Sequence, residues 1–236
     1  MGRPESHLSD DVFQRNPNHA ASLERLRRTV RIRMKRQAFD LAHDFGHIQR
    51  VWRNAQLVGS RCASDDGWTV DGDIVEAACL LHEIGRGAER RGEHHSDTSA
   101  RIADGMLRNE GLGDLVWPVA ETIISHMGGG RTPDTPEGRV LRDADLLEEL
   151  GAIGVARVLL TGATHATPAL YEPNDPRAHD RPLDDGAYLL DRFPRRLFGI
   201  VTQMETPFGR VEAEWRTTIL RAYYNAFLRE AGYDGK

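Results

Sequence analysis

The chain has 236 residues, 39 % apolar and 28 % charged, a balance that suits an ordinary globular protein with one large core or two small ones. Its net charge of −5 argues against a general nucleic-acid binder, which carries a basic excess. Two cysteines, Cys62 and Cys79, lack CxxC spacing and argue against a disulfide framework or a thiolate zinc site.

Residues 1–20 are polar and are read as a flexible lead-in. Helix formers without Gly or Pro then run from Ala21 to Phe39. From Asp44, a plausible N-cap, the apolar residues Ile48, Val51, Trp52, Ala55 and Val58 mark one face of a helix. Ser64 to Gly72 reads as a loop. Ile74, Ala77, Ala78 and Leu81 define the next helix, with Gly85 as its C-terminal glycine. Further helices are expected over Ser96–Asn109 and Val116–His126, the latter ended by Gly128–Gly130, then over Pro136–Leu150 and Ala152–Leu160.

Residues 162–185 contain four prolines and read as a long loop of the kind that often serves as a lid. Ala187–Met204 and Val211–Leu228 are the last expected helices, the second with Val211, Trp215, Ile219, Ala222 and Ala226 in helical register. No segment alternates like a strand, so the expected fold class is all-α, a single domain. No apolar run reaches the roughly 20 residues that span a bilayer, and MGRPESHLSDD lacks a secretory apolar stretch. A cytoplasmic protein without a membrane partner is expected.

The histidines are unevenly placed. His47 opens a helix, His82–Glu83 closes the next, His94–His95 precedes another and His126 closes the one after. Asp143 and Asp145 follow in RDADLLEELG. Imidazole and carboxylate together suit a divalent ion such as Mn²⁺, Fe²⁺ or Zn²⁺. Several helices, each donating one or two ligands to a bundle core, are a known way to hold one.

The strings HDFGHIQRVWRNA, ACLLHEIGRG, HHSDTSA, IISHMGGG, LRDADLLEELGAIGVAR and RRLFGIVTQMETPFGR follow one another over roughly residues 40–230. In this order they resemble the HD-domain superfamily, specifically its small stand-alone bacterial metal-dependent phosphohydrolases, whose signature is H…HD…D. The resemblance implies an HD-type helical domain over residues 21–236 with a C-terminal helical extension. It makes His47, His82 and Asp145 metal ligands. Glu83 stands where the signature has Asp; one methylene longer, it remains a competent ligand. In two-metal members, further His ligands come from the places held here by His95 and His126.

The activity so implied is hydrolysis of phosphate esters or anhydrides, in nucleotides or related phosphometabolites, by metal-activated water. The cofactor is one or two divalent ions, drawn from Mn²⁺, Fe²⁺, Co²⁺, Mg²⁺ or Zn²⁺. Catalytic roles fall to Glu83 and to Arg86 and Arg196, whose charge can neutralise developing phosphate charge; Arg50 is a third such cation. Two alternatives remain: a mixed-valent di-iron oxygenase using all six ligands, and a catalytically degenerate nucleotide-binding protein. The substrate is the expected partner, and a homo-oligomer is left open. Asp143 is read as an N-cap. The basic run Arg25, Arg27, Arg28, Arg31, Arg33, Lys35 and Arg36 reads as a helix face paired with acids, or as a surface that steers anions.

Overall fold

A computed structural model describes residues 13–36, 42–88, 92–127 and 132–233. The Gly128–Gly130 run, Phe39 and most of the lead-in lie outside the described residues. The described chain is all-helical: nine α-helices, short 3-10 turns and two isolated β-bridges, with no strand among the described residues. No described helix is long and apolar enough to cross a membrane. The stretch 21–236, read above as one domain, divides into two compact units. The first comprises residues 1–145 and 205–208; the second comprises 146–204 and 209–236.

In the first unit, α1 (Ala20–Arg36) buries Leu23, Leu26, Val30 and Met34, a stripe at helical spacing. Helix α2 (Phe45–Asp66) is capped by Asp44, whose carboxylate accepts from the His47 amide at 2.9 Å, and ends at Gly67 in the left-handed region. It therefore runs through Ser64–Asp66, which the sequence assigned to a loop. Helix α3 (Gly72–Leu81) is capped by Asp71 and is buried along nearly its whole length.

Helices α4 (His95–Asn109), α5 (Val116–Ser125) and α6 (Pro136–Leu146) complete the unit. Asp143 is not an N-cap of its own helix. It lies in the last turns of α6, fully buried, and accepts from the amides of Glu205 and Thr206 and the Thr206 hydroxyl at 2.8, 2.9 and 2.6 Å.

A buried acid–base network ties the segment before α1 to the start of α3. Asp73 accepts from Arg15 at 3.0 Å, from the Asn16 amide at 3.0 Å and from His19 Nδ1 at 2.9 Å. Glu76 accepts from Arg15 at 2.7 Å and from Arg27. Most of the basic run on α1 is paired: Arg25 binds Glu110, Arg28 faces Glu24 and Arg31 lies over the Phe45 ring.

In the second unit, α7 (Gly151–Thr164) is followed by a long connection. That loop is internally fastened: Arg181 forks onto buried Asp191 at 2.5 and 2.8 Å and stacks on Tyr188. Ala187–Met204 is not one helix. It forms a 3-10 turn, the four-residue α8 (Arg192–Arg195) and a 3-10 stretch, Leu197–Gln203. Pro194 supplies no amide to continue a helix and Gly199 favours none.

Helix α9 (Pro207–Glu230) buries Ala213, Thr217, Leu220, Tyr224 and Leu228. That stripe lies two residues along from the expected one, close to the opposite face; Val211 is 51 % exposed. Phe193 packs against Tyr223 and Tyr224 at ring separations of 5.6 and 5.9 Å.

Candidate metal centre

Five helix ends of the first unit carry the site. His47 lies in the first turn of α2, fully buried. His82 and His126 are the C-terminal caps of α3 and α5 and share one local device. The last carbonyls of a helix lack amide partners. His82 Nδ1 donates to the Cys79 carbonyl at 2.8 Å, and His126 Nδ1 to the Ile123 carbonyl at 2.5 Å. Spending Nδ1–H on the helix end leaves each Nε2 with a bare lone pair, the form a metal ligand needs.

These nitrogens converge. His47 Nε2 lies 3.3 Å from His82 Nε2 and 3.4 Å from Asp145 Oδ1. Asp145 Oδ1 lies 3.9 Å from His82 Nε2, and its Oδ2 lies 4.0 Å from His126 Nε2. His47, His82 and Glu83 form a cluster that could hold a metal ion, with ligand atoms all within 4.8 Å of one another. Two donors bound to one ion at roughly 2.1 Å, at angles between octahedral and tetrahedral, stand about 3.0–3.4 Å apart. The closest separations here match that spacing.

Two further observations bear on fit. The Nε2 atoms of His95 and His126 are buried and have no hydrogen-bond partner. An unpaired buried nitrogen is costly unless something else binds it. Burial also drives both imidazoles down to about 4, so both are neutral at physiological pH and present lone pairs. The donor set of neutral imidazoles and carboxylates therefore fits a divalent ion of borderline to hard character.

The carboxylates are held as anions. Burial alone would raise Asp145, but His82, His47 and His126 outweigh it and keep its carboxyl below the usual range. Burial would likewise raise Glu83; the Arg86 fork, with His82 beside it, overrides that and holds Glu83 well below the usual range. Arg86 donates through Nη2 to Glu83 Oε1 at 3.0 Å and through Nε to Oε2. His95 Nε2 stands 3.8 Å from Glu83 Oε1.

Arg86 is thus gathered into the site with Glu83. Arg196 lies in the second unit, where it forks onto Glu149 at 2.5 and 2.7 Å. Arg50 is half-buried near the start of α2. His94 takes a structural place: it caps α4, its Nδ1 accepting from the Ser96 amide at 3.3 Å.

The turn after α3 explains Gly85 differently from the sequence reading. The helix stops at Leu81, before it, and Gly87 rather than Gly85 has the left-handed backbone. A Cβ on Gly85 would lie 2.4 Å from the Ser99 amide nitrogen of α4, so glycine is there for close approach. Its own amide donates to Ser99 Oγ at 2.9 Å.

Residues 41–150 match the family model of the HD domain. This segment is an HD domain. Among curated proteins, a deoxyguanosinetriphosphate triphosphohydrolase-like protein of Caldanaerobacter subterraneus subsp. tengcongensis is 28 % identical over 179 residues, 69 % of this chain and 48 % of that protein. The chain thus spans about half the length of the curated relative it matches. An HD-superfamily hydrolase from Bacillus thuringiensis superposes with a TM-score of 0.68 at 23 % identity, covering 91 % of this chain and 98 % of that one. Bacillus subtilis YpgQ in complex with ADP gives a TM-score of 0.67 at 23 % identity, over 89 % and 95 %. In sequence order, the HD domain contains His47, His82, Glu83, His95, His126 and Asp145.

Proposed function

We propose that the chain is a metal-dependent hydrolase of phosphate esters or anhydrides, acting on a nucleotide or a related phosphometabolite. The observation that carries this reading is the convergence of the buried His47 and His82 with the half-buried Asp145 around one point. The ion would be held by these three with Glu83, and His95 and His126 are the further ligands. Such an ion lowers the pKa of bound water and polarises a phosphoryl oxygen.

The chain's own residues supply the rest. The Cys79 and Ile123 carbonyls fix the tautomer and aim of His82 and His126. Arg86 keeps Glu83 ionised and, with its side chain 30 % exposed, presents positive charge beside the site to an incoming phosphate. The relative named for a nucleotide triphosphohydrolase and the ADP complex of YpgQ support a nucleotide as the substrate class.

The test is release of phosphate or pyrophosphate from a panel of nucleoside mono-, di- and triphosphates by protein loaded with Mn²⁺, Co²⁺ or Mg²⁺. Turnover is expected for at least one nucleotide, and its loss with a chelator. No release across the panel by demonstrably metal-loaded protein would sink the hydrolase reading.

The unpartnered Nε2 atoms of His95 and His126 favour one second reading, a two-iron site with oxygenase chemistry. Iron content measured together with oxygen uptake separates the two readings. Iron-free protein that still hydrolyses nucleotides excludes the oxygenase.

A further inference from the structure

Asn54 and His47 are the two polar side chains on the buried face of α2, which is otherwise apolar. Asn54 sits between Val51 and Val58, in register with His47, and all four are buried. Its Nδ2 donates to the Ala144 carbonyl at 3.0 Å. Ala144 belongs to the last turn of α6, where the α-helix gives way to the 3-10 turn Leu147–Glu149. Carbonyls in the final turn lack the regular amide partner. The next residue is Asp145.

The same turn is tied from a second direction. Asp143, one residue before Ala144, is pinned by the Glu205 and Thr206 amides and the Thr206 hydroxyl. Residues 143 and 144 are both fixed from outside the helix. Asp145 therefore leaves α6 with its backbone direction set. Because His47 and Asn54 lie two turns apart on one rigid helix, the Asn54 bond also sets the spacing between His47 and Asp145, whose ligand atoms stand 3.4 Å apart.

We infer that Asn54 is a positioning residue for the metal centre: its amide fixes the Ala144 carbonyl, and so holds Asp145 at ligating distance from His47. This rests on the metal reading of the site. Outer partners of ligands commonly change metal affinity by about 10- to 100-fold when removed. A purely structural amide would cost stability and leave the coordination unchanged.

The experiment uses the full chain and Co²⁺ alone, read by its d–d absorption and by titration. Asn54→Ala removes the amide, and Asn54→Leu refills its volume. Both are expected to weaken Co²⁺ binding about tenfold and to change the shape of the d–d band. Asn54→Gln, which keeps a donor, should recover part of the wild-type band. Val58→Ala, on the same face and fully buried, is the stability control and should keep wild-type affinity and band shape.

Wild-type Co²⁺ binding in both Asn54→Ala and Asn54→Leu overturns the inference, as does an equal change in Val58→Ala. A wild-type chain with no saturable Co²⁺ band overturns the metal reading and this inference with it. A wild-type band untouched at Asn54 removes only the role of Asn54.

Discussion

At its N-terminal end α3 buries Asp73 and Glu76; at its C-terminal end, about 15 Å away, it delivers His82 and Glu83. Both ends carry charge out of water, and they settle it differently. Every partner of the first cluster is a protein group: Arg15, Arg27, His19 and a backbone amide close around two carboxylates. The second cluster stays open. Four imidazoles and two carboxylates gather there, and two of the buried ring nitrogens have no hydrogen-bond partner. A closed polar cluster fastens structure; an open one at the same burial is arranged for a guest.

Substitutions at the two ends should therefore fail in different ways. The largest effect is expected for His82→Ala and Asp145→Ala. Each should lower metal-dependent turnover on the order of 10³-fold, because the activated water is lost with the ion. Melting of the metal-free protein should change little by comparison. A metal-free melting point that collapsed as far as activity did would erase the contrast.

Asp73→Ala should do the reverse. It leaves Arg15 with Glu76 alone and takes the acceptor from His19 and the Asn16 amide, at a cost of about 1–2 kcal/mol measured by urea unfolding. Activity per folded molecule should stay at the wild-type level. A fall in activity without a fall in stability would merge the two clusters into one.

Gly85→Ala is expected to be intermediate, destabilising by about 1–3 kcal/mol through overpacking against the α4 backbone. Because the same turn carries Glu83, metal affinity should fall as well. Calorimetric titration against a melting curve reads both effects in one sample.

The smallest change is expected at Thr98, whose buried hydroxyl has no partner. Thr98→Val removes an unpaired polar atom and should lie within about 0.5 kcal/mol of wild type, on the stabilising side. A marked loss of metal binding there would mean that the open cluster reaches past His95 along α4 to Thr98.

Local signals made much of this visible in the sequence. Asp44 and Asp71 announce helix starts, and the α2 stripe keeps its period. The six candidate residues stand at helix ends, positions that the helix boundaries visible in the sequence already mark. What was hidden depends on partners far apart in the chain. Asp73 and Glu76 meet Arg15 and Arg27 across 49 to 61 residues, so nothing local marks them. Asn54 reaches 90 residues to Ala144. The face of α9 was misjudged because Val211, Trp215 and Ile219 on one side compete with Ala213, Leu220, Tyr224 and Leu228 on the other.

The four residues 205–208 belong to the first unit, although the chain on either side of them belongs to the second. This sets a limit on dissection. A fragment ending at Asp145 would contain all six site residues, yet it would bury the Asp143 carboxylate without any of its three donors. The segment matched as an HD domain is thus shorter than the piece of chain needed to hold it together. Truncations meant to isolate the candidate metal centre should carry residues 205–208, either through the intact chain or by a graft that joins them back to α6.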